Sequence, residues 1–130
     1  MIIEINTVSS TPIYQQLRDK IIIAIATRKL RPNETLPSVR RLAADLGINF
    51  HTVNKAYTIL SDEGYLVIDR RKGAIVATEV KAKEIFSYKL SQQLSLCAAE
   101  AICHDLSEQQ FIQLCQKHYT EIREEENENE

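Results

Sequence analysis

Glycine is scarce in this chain: 130 residues contain only three. None belongs to a glycine-rich run, so a phosphate-cradling loop and a nucleophile elbow are both excluded. No paired-carboxylate setting appears either, and no enzymatic activity is expected. Cysteine is equally sparse. Cys97, Cys103 and Cys115 are odd in number and confined to the second half, which argues against a secreted disulfide framework and for small buried apolar thiols. Cys103-His104 and the Cys115/His118 pair lack a Cys-x-x-Cys or a second close-spaced histidine pair to complete a metal site, so no metal or other cofactor is expected. Long apolar runs are missing too. No segment approaches the roughly 20 apolar residues of a membrane span, and the opening MIIEINTVSS has neither a basic region nor a long apolar stretch. A cytoplasmic chain with no membrane partner is expected.

What is present has the balance of a soluble globular protein, with 44% hydrophobic and 26% charged residues, enough for one moderate core or a small domain with an appendage. The net charge of −2 conceals an asymmetry. Residues 1–78 carry eleven Lys/Arg against seven Asp/Glu, a net of +4, and residues 79–130 carry five against eleven, a net of −6. A basic footprint for nucleic acid therefore belongs to the first part alone.

Within that part, Leu36 to Leu60 reads as two short helices joined by a glycine-centred turn. Pro37 discourages an earlier start and Ser38 is placed to cap, after which Val39, Leu42, Ala43 and Leu46 share one face. Gly47 ends the helix, and Ile48 can fold back onto it. Asn49 caps the next, with Val53, Ala56, Tyr57 and Leu60 facing inward and Gly64 stopping it. This is the helix-turn-helix pattern, whose second helix presents its N-terminal residues to the major groove. Phe50, His51, Thr52, Asn54, Lys55 and Thr58 are turned wholly or partly outward. Asn54 suits a paired contact to adenine, Thr52 and His51 suit base edges or phosphates, and Lys55 suits a phosphate.

The flanks complete a larger unit. The segment IIEIN is expected as a short strand or an ordered arm. A helix is predicted from Pro12, capped by Thr11 or Ser10, with Ile13, Leu17, Ile21, Ala24 and Ile25 as its stripe and Tyr14 alongside. Leu30 to Thr35 reads as a turn. Tyr65–Ile68 and Ala74–Ala77 are strand-like around the basic tip Asp69-Arg70-Arg71-Lys72-Gly73. Three helices and such a hairpin make a winged helix-turn-helix over residues 1–78.

Residues 79–130 divide into two amphipathic helices. From about Lys81 to His104, a stripe of Ile85, Phe86, Leu90, Leu94, Cys97, Ala98, Ala101 and Ile102 recurs. Ser107-Glu108-Gln109-Gln110 is a capping-box pattern for a second helix with the stripe Phe111, Ile112, Cys115, Tyr119 and Ile122. The fold class expected is mainly α with a small β-hairpin: a winged helix-turn-helix followed by a helical hairpin over 79–123. Two such stripes exceed what the helices can bury on each other, so a homodimer is expected, with Phe86, Leu90, Leu94, Phe111, Ile112, Cys115 and Tyr119 at its interface. Residues 124–130, with five glutamates, are expected to be frayed or disordered.

The runs Pro12-Ile13-Tyr14-Gln15-Gln16-Leu17, Leu36-Pro37-Ser38-Val39-Arg40-Arg41-Leu42-Ala43 and Thr52-Val53-Asn54-Lys55-Ala56-Tyr57, then Leu60, Glu63-Gly64 and the Gly73-containing wing, resemble in collinear order the DNA-binding domain of GntR-family bacterial transcription regulators. The short helical tail resembles that of the YtrA-like subfamily, whose C-terminal helices dimerise. The resemblance implies a sequence-specific regulator that binds double-stranded operator DNA, with transporter genes as a plausible target and a repressor role as the expected mode. It also implies DNA contacts by Ser38 and Arg40, by His51, Thr52 and Lys55, and by Lys72 and Gly73. Arg41, Asn54 and Arg71 join them on their own chemistry. The some fifty residues after the wing are too few for the large effector-binding or aminotransferase-like domains of other branches, and the sequence identifies no effector. Three departures stand out: Arg71 takes the place of a first wing glycine, Arg41 a position often acidic, and Phe50-His51 positions commonly held by Pro, Arg or Asn. The missing wing glycine and the acidic tail motivate an alternative, a protein-interaction adaptor on a winged-helix scaffold.

Overall fold

Local chemistry accounts for each helix boundary in the computed structural model, which describes residues 3–81 and 83–130. Helix α1 (Ile13–Ala26) has no side-chain cap. The expected cap at Thr11 or Ser10 is corrected: Pro12 itself sits in the capping position with extended backbone, its carbonyl accepting from the amides of Gln15 and Gln16. Helix α2 (Val39–Leu46) is capped by Ser38, whose hydroxyl accepts from the Arg41 amide at 3.1 Å. It ends at Gly47, at a φ of 66° that disfavours any residue with a Cβ. The Ile48 amide then donates back to the Ala43 carbonyl at 3.0 Å, closing the helix end. Helix α3 (Phe50–Asp62) starts at Asn49, whose side chain accepts from the His51 amide at 2.7 Å.

After α3, strand β1 (Leu66–Asp69) pairs antiparallel with β2 (Gly73–Val76), with Leu66 opposite Val76 and Asp69 opposite Gly73. The segment read as a plain turn is tied to this sheet. Leu36 donates to Ala74, Val76 to Glu34 and Asn33 to Val76, at 2.8 to 2.9 Å. Thr35 and Ile75 form an isolated bridge. The wing is thus joined to the chain leading into α2, not hung from α3 alone.

The core lies where the three helices meet the hairpin: Leu17, Ile21, Leu30, Leu36, Leu42, Val53, Ala56, Tyr57, Leu60, Leu66, Ala74 and Val76 are all buried. Ile2 of the N-terminal segment lies outside the described residues. Ile3 to Asn6 form no strand, but Ile3 and Ile5 pack against the core. Gln16 holds this arm, accepting from the Asn6 amide and donating to the Asn6 and Thr11 carbonyls, each at 2.9 Å.

Helices α4 (Lys83–Cys103) and α5 (Glu108–Glu128) follow, the second opened by a full capping box between Ser107 and Gln110. Ala82, inside the helix expected from Lys81, lies outside the described residues. Neither helix buries a single residue, and they are joined by a tight turn without packing face to face. The cysteines differ from expectation for this reason: Cys97, Cys103 and Cys115 are free and exposed, because their stripes have no partner within the chain.

The acidic segment 124–130 requires a second correction. It does not fray; α5 continues to Glu128. Its end docks on the basic turn that follows α1, where Glu126 lies 3.9 Å from Arg28 and Glu125 3.9 Å from Lys29. The Asn129 side chain donates to the Thr27 carbonyl at 2.8 Å, and Arg31 donates to the Asn129 carbonyl. Composition predicts disorder from like charges; two cations about a hundred residues away in sequence pair with two of the five glutamates. No helix among the described residues is long and apolar enough to cross a membrane.

Candidate nucleic-acid interface

The helix-turn-helix is held by two buried or half-buried polar contacts. Tyr57, on the inner face of α3, donates its hydroxyl to the Pro37 carbonyl at 2.8 Å, fixing α3 against the start of α2. Burial pushes this hydroxyl well above the usual phenol range, so it remains a donor. Arg18 of α1 makes a two-pronged bond to Glu63 at the end of α3, Nε to Oε1 at 2.7 Å and Nη2 to Oε2 at 2.9 Å. That bond holds the Glu63 carboxyl below its ordinary range.

On this frame the expected contact residues separate into groups. Ser38, Arg40, Arg41, His51, Asn54 and Lys55 are exposed and Thr52 is half-buried. Ser38 is engaged in its cap through Oγ. Arg41 lies 3.8 Å from Asp45, one turn on, so part of its charge is answered within α2. Arg40 and Lys55 have no acidic partner among the described residues.

Both of these cations instead rest on aromatic rings. The Arg40 guanidinium lies 5.3 Å from the centre of the Phe50 ring, and the Lys55 ammonium 3.9 Å from that of Tyr14. Phe50 also meets His51 edge to face, centroids 5.5 Å apart. The start of α2 and the start of α3 are therefore brought together through one ring. Neither Phe50 nor Tyr14 is among the contact residues expected from the sequence, where Phe50 reads as outward and as a departure from the family pattern, and Tyr14 as lying beside a core stripe.

The wing tip is a third group. Asp69 accepts from the amides of Arg71 at 2.7 Å and Lys72 at 3.0 Å, which lowers its carboxyl and shapes the turn. Arg71 has no positive φ, so the glycine it replaces is not needed there. Gly73, at φ 83°, is the left-handed residue of the tip, and a Cβ there would meet open space. Arg70, Arg71 and Lys72 are exposed, with no ion pair among the described residues.

No group of three or more His, Cys, Asp or Glu able to hold a metal occurs among the described residues. The hollows on the C-terminal arm formed by α4 and α5, one lined by Glu79, Val80, Lys81, Lys83, Glu84 and Ile85 and one along Glu108 to Gln116, are shallow surface features. What the geometry offers is an exposed, cationic surface around the side-chain-capped starts of α2 and α3, suited to polyanion contact rather than to enclosing a small molecule.

Comparison with known proteins agrees with this arrangement. Residues 13–76, from α1 through β2, match the family described as bacterial regulatory proteins, gntR family. The HTH-type transcriptional repressor YtrA of Bacillus subtilis is 37% identical over 79 residues, covering 61% of each chain. The solved structure of YtrA from Sulfolobus acidocaldarius, a GntR-family transcription factor, is 36% identical, with a TM-score of 0.58 over 93% of this chain and 99% of that one. The DNA-binding domain of AraR in complex with operator ORX1 is 26% identical, with a TM-score of 0.54 over 59% of this chain and 99% of that one. With a matching family region, a YtrA relative aligned over nearly its whole length and the same winged helix-turn-helix, the chain belongs to the gntR family of bacterial regulatory proteins, in its YtrA-like branch, and is a DNA-binding transcription regulator and not an enzyme.

Proposed function

We propose that this chain is a homodimeric, cytoplasmic repressor that binds a two-part operator and blocks promoter access, with transporter genes among its targets. The observation that carries the reading is the pairing of Arg40 and Lys55, unneutralised and held on rings, around the capped start of α3. Ser38, Arg40, Arg41, His51, Thr52, Asn54 and Lys55 form the major-groove side, and Arg71, Lys72 and Gly73 the wing contacts. The AraR domain, similar in this part, is seen with its operator, and the YtrA relative is named a repressor. Both support the reading.

Dimerisation rests on the arm. Phe86, Leu90, Leu94, Ile112, Cys115 and Tyr119 are exposed and Phe111 is half-buried. A stripe of this kind on two helices that do not cover one another is stable in water when a second copy supplies the missing faces. Two copies present two recognition helices, so operator symmetry follows protein symmetry.

The adaptor alternative loses its motives. Arg71 needs no glycine at its φ, and the acidic segment is folded onto α1 instead of being offered to a partner. The deciding experiment is retardation of DNA from upstream of the chain's own gene against scrambled competitor at low and moderate salt. Selective retardation supports the reading, and its absence at both salts, with a protein partner recovered instead, supports the adaptor.

A further inference from the structure

Phe50 is the first residue of α3, at the end that points toward base edges in a helix-turn-helix. Phe50 is 39% exposed, although Val53, Ala56, Tyr57 and Leu60 of the same helix are buried in the core. One side of the Phe50 ring carries the Arg40 guanidinium at 5.3 Å, and His51 stands against it at an interplanar angle of 81°. The ring is therefore held in place by two polar neighbours and still presents an apolar face. Asn49, capping the helix through the His51 amide, fixes the backbone from which both rings project. An apolar side chain at this position cannot bond a phosphate or an exocyclic amine. In the major groove the one apolar group on a base is the 5-methyl of thymine, and aromatic contact to it is an established means of readout.

We propose that Phe50 is a specificity-determining residue that recognises the 5-methyl group of one thymine in each operator half-site, with the Arg40 guanidinium over the ring holding it in position. The inference rests on the DNA-reading function proposed above and adds to it a base identity. Arg40 and Lys55 supply attraction that any sequence enjoys, whereas the ring discriminates between thymine and the bases that lack a methyl.

The probe is the duplex that the wild-type protein enriches from a random-sequence pool. Each thymine is replaced singly by uracil, which removes only the methyl, and affinity is measured for wild type, Phe50→Ala and Phe50→Gln. At one thymine per half-site, uracil is expected to weaken wild-type binding about threefold to fivefold, the effect of one buried methyl. The same replacement is expected to leave both variants unaffected, and a pool enriched by Phe50→Gln is expected to lose its preference for thymine there. If alanine loosens the helix, as shown by a lowered thermal transition, glutamine decides, because it is a good helix former without an apolar end. A uracil penalty that persists unchanged in Phe50→Gln, or a wild-type protein indifferent to uracil throughout, overturns the inference while leaving DNA binding intact. Failure of the wild type to enrich any duplex overturns the DNA-reading function itself and this inference with it.

Discussion

The ammonium of Lys55 lies 3.9 Å from the centre of the Tyr14 ring, so the first helix of the domain fixes a cation on the third. The ring limits the positions the ammonium samples before a phosphate arrives, and cation–π contacts at exposed sites are worth about 0.5–1 kcal/mol. Tyr14→Leu keeps an apolar residue beside the α1 stripe and removes this restraint. DNA affinity is expected to fall about twofold to fivefold with the slope of log K against log salt unchanged. Tighter binding by the variant would show that the ring competes with DNA for Lys55.

Removing the cations themselves changes the slope. Arg40→Ala and Lys55→Ala are each expected to weaken binding across sequences and to reduce the salt slope by about one for each phosphate no longer neutralised. Titrations at four or five salt concentrations measure both quantities, and two variants with the wild-type slope refute the assignment. Arg41→Ala is expected to have the smaller effect, because Asp45 already answers part of its charge.

Stability of the winged domain, the reading head of the chain, depends on Arg18 and Glu63. Their two-pronged bond joins α1 to the end of α3 in a half-buried setting, and Glu63→Gln is expected to cost about 1–2 kcal/mol in urea unfolding. The Glu63 carboxyl is lowered in the folded state, foremost by its bond to Arg18. Its contribution is therefore present above the unfolded value of about 4.3 and is lost as pH falls through the folded value. Wild type is expected to lose its advantage over Glu63→Gln in this acid range, while the difference holds steady at roughly pH 6 to 8. A pH-independent difference refutes the linkage.

Sedimentation tests the arm. Leu90→Glu with Leu94→Glu places charge on the exposed α4 stripe without touching the winged domain, since neither residue is buried in the chain. The double variant is expected to sediment as a monomer where the wild type is a dimer, with an unchanged thermal transition for the winged domain. Two-part operators are then bound more weakly, because the two half-sites are no longer engaged by one linked pair of heads. A wild-type chain that is monomeric at micromolar concentration overturns this role for the stripes.

Most of the winged domain is legible in the sequence because its determinants are local. Ser38, Gly47 and Asn49 mark helix ends within three residues of the groups they satisfy. Pro12 shows the limit of that logic, since a carbonyl can serve at a helix start where a hydroxyl is expected. The less legible features are long-range. The bonds from Asn33, Glu34 and Leu36 to β2 link segments some forty residues apart, and turn chemistry at Pro32-Asn33 carries no sign of them. Composition likewise reads Glu124 to Glu130 as a solvated run, because the cations that receive it belong to the other half of the chain. At the candidate interface, charge and polarity disclose Arg40 and Lys55, but the rings beneath them come from a different helix in each case. Periodicity along one helix cannot disclose such a pairing.

Because α5 ends on Thr27, Arg28 and Lys29 while α4 departs from beyond the wing, the arm meets the reading head at two separate places. A strut attached at both ends resists swivelling in a way that a single tether does not. In the dimer proposed above, the two helices of 21 residues, each about 31 Å long, act as a pair of calipers: their length and attachment set how far apart the two reading heads stand.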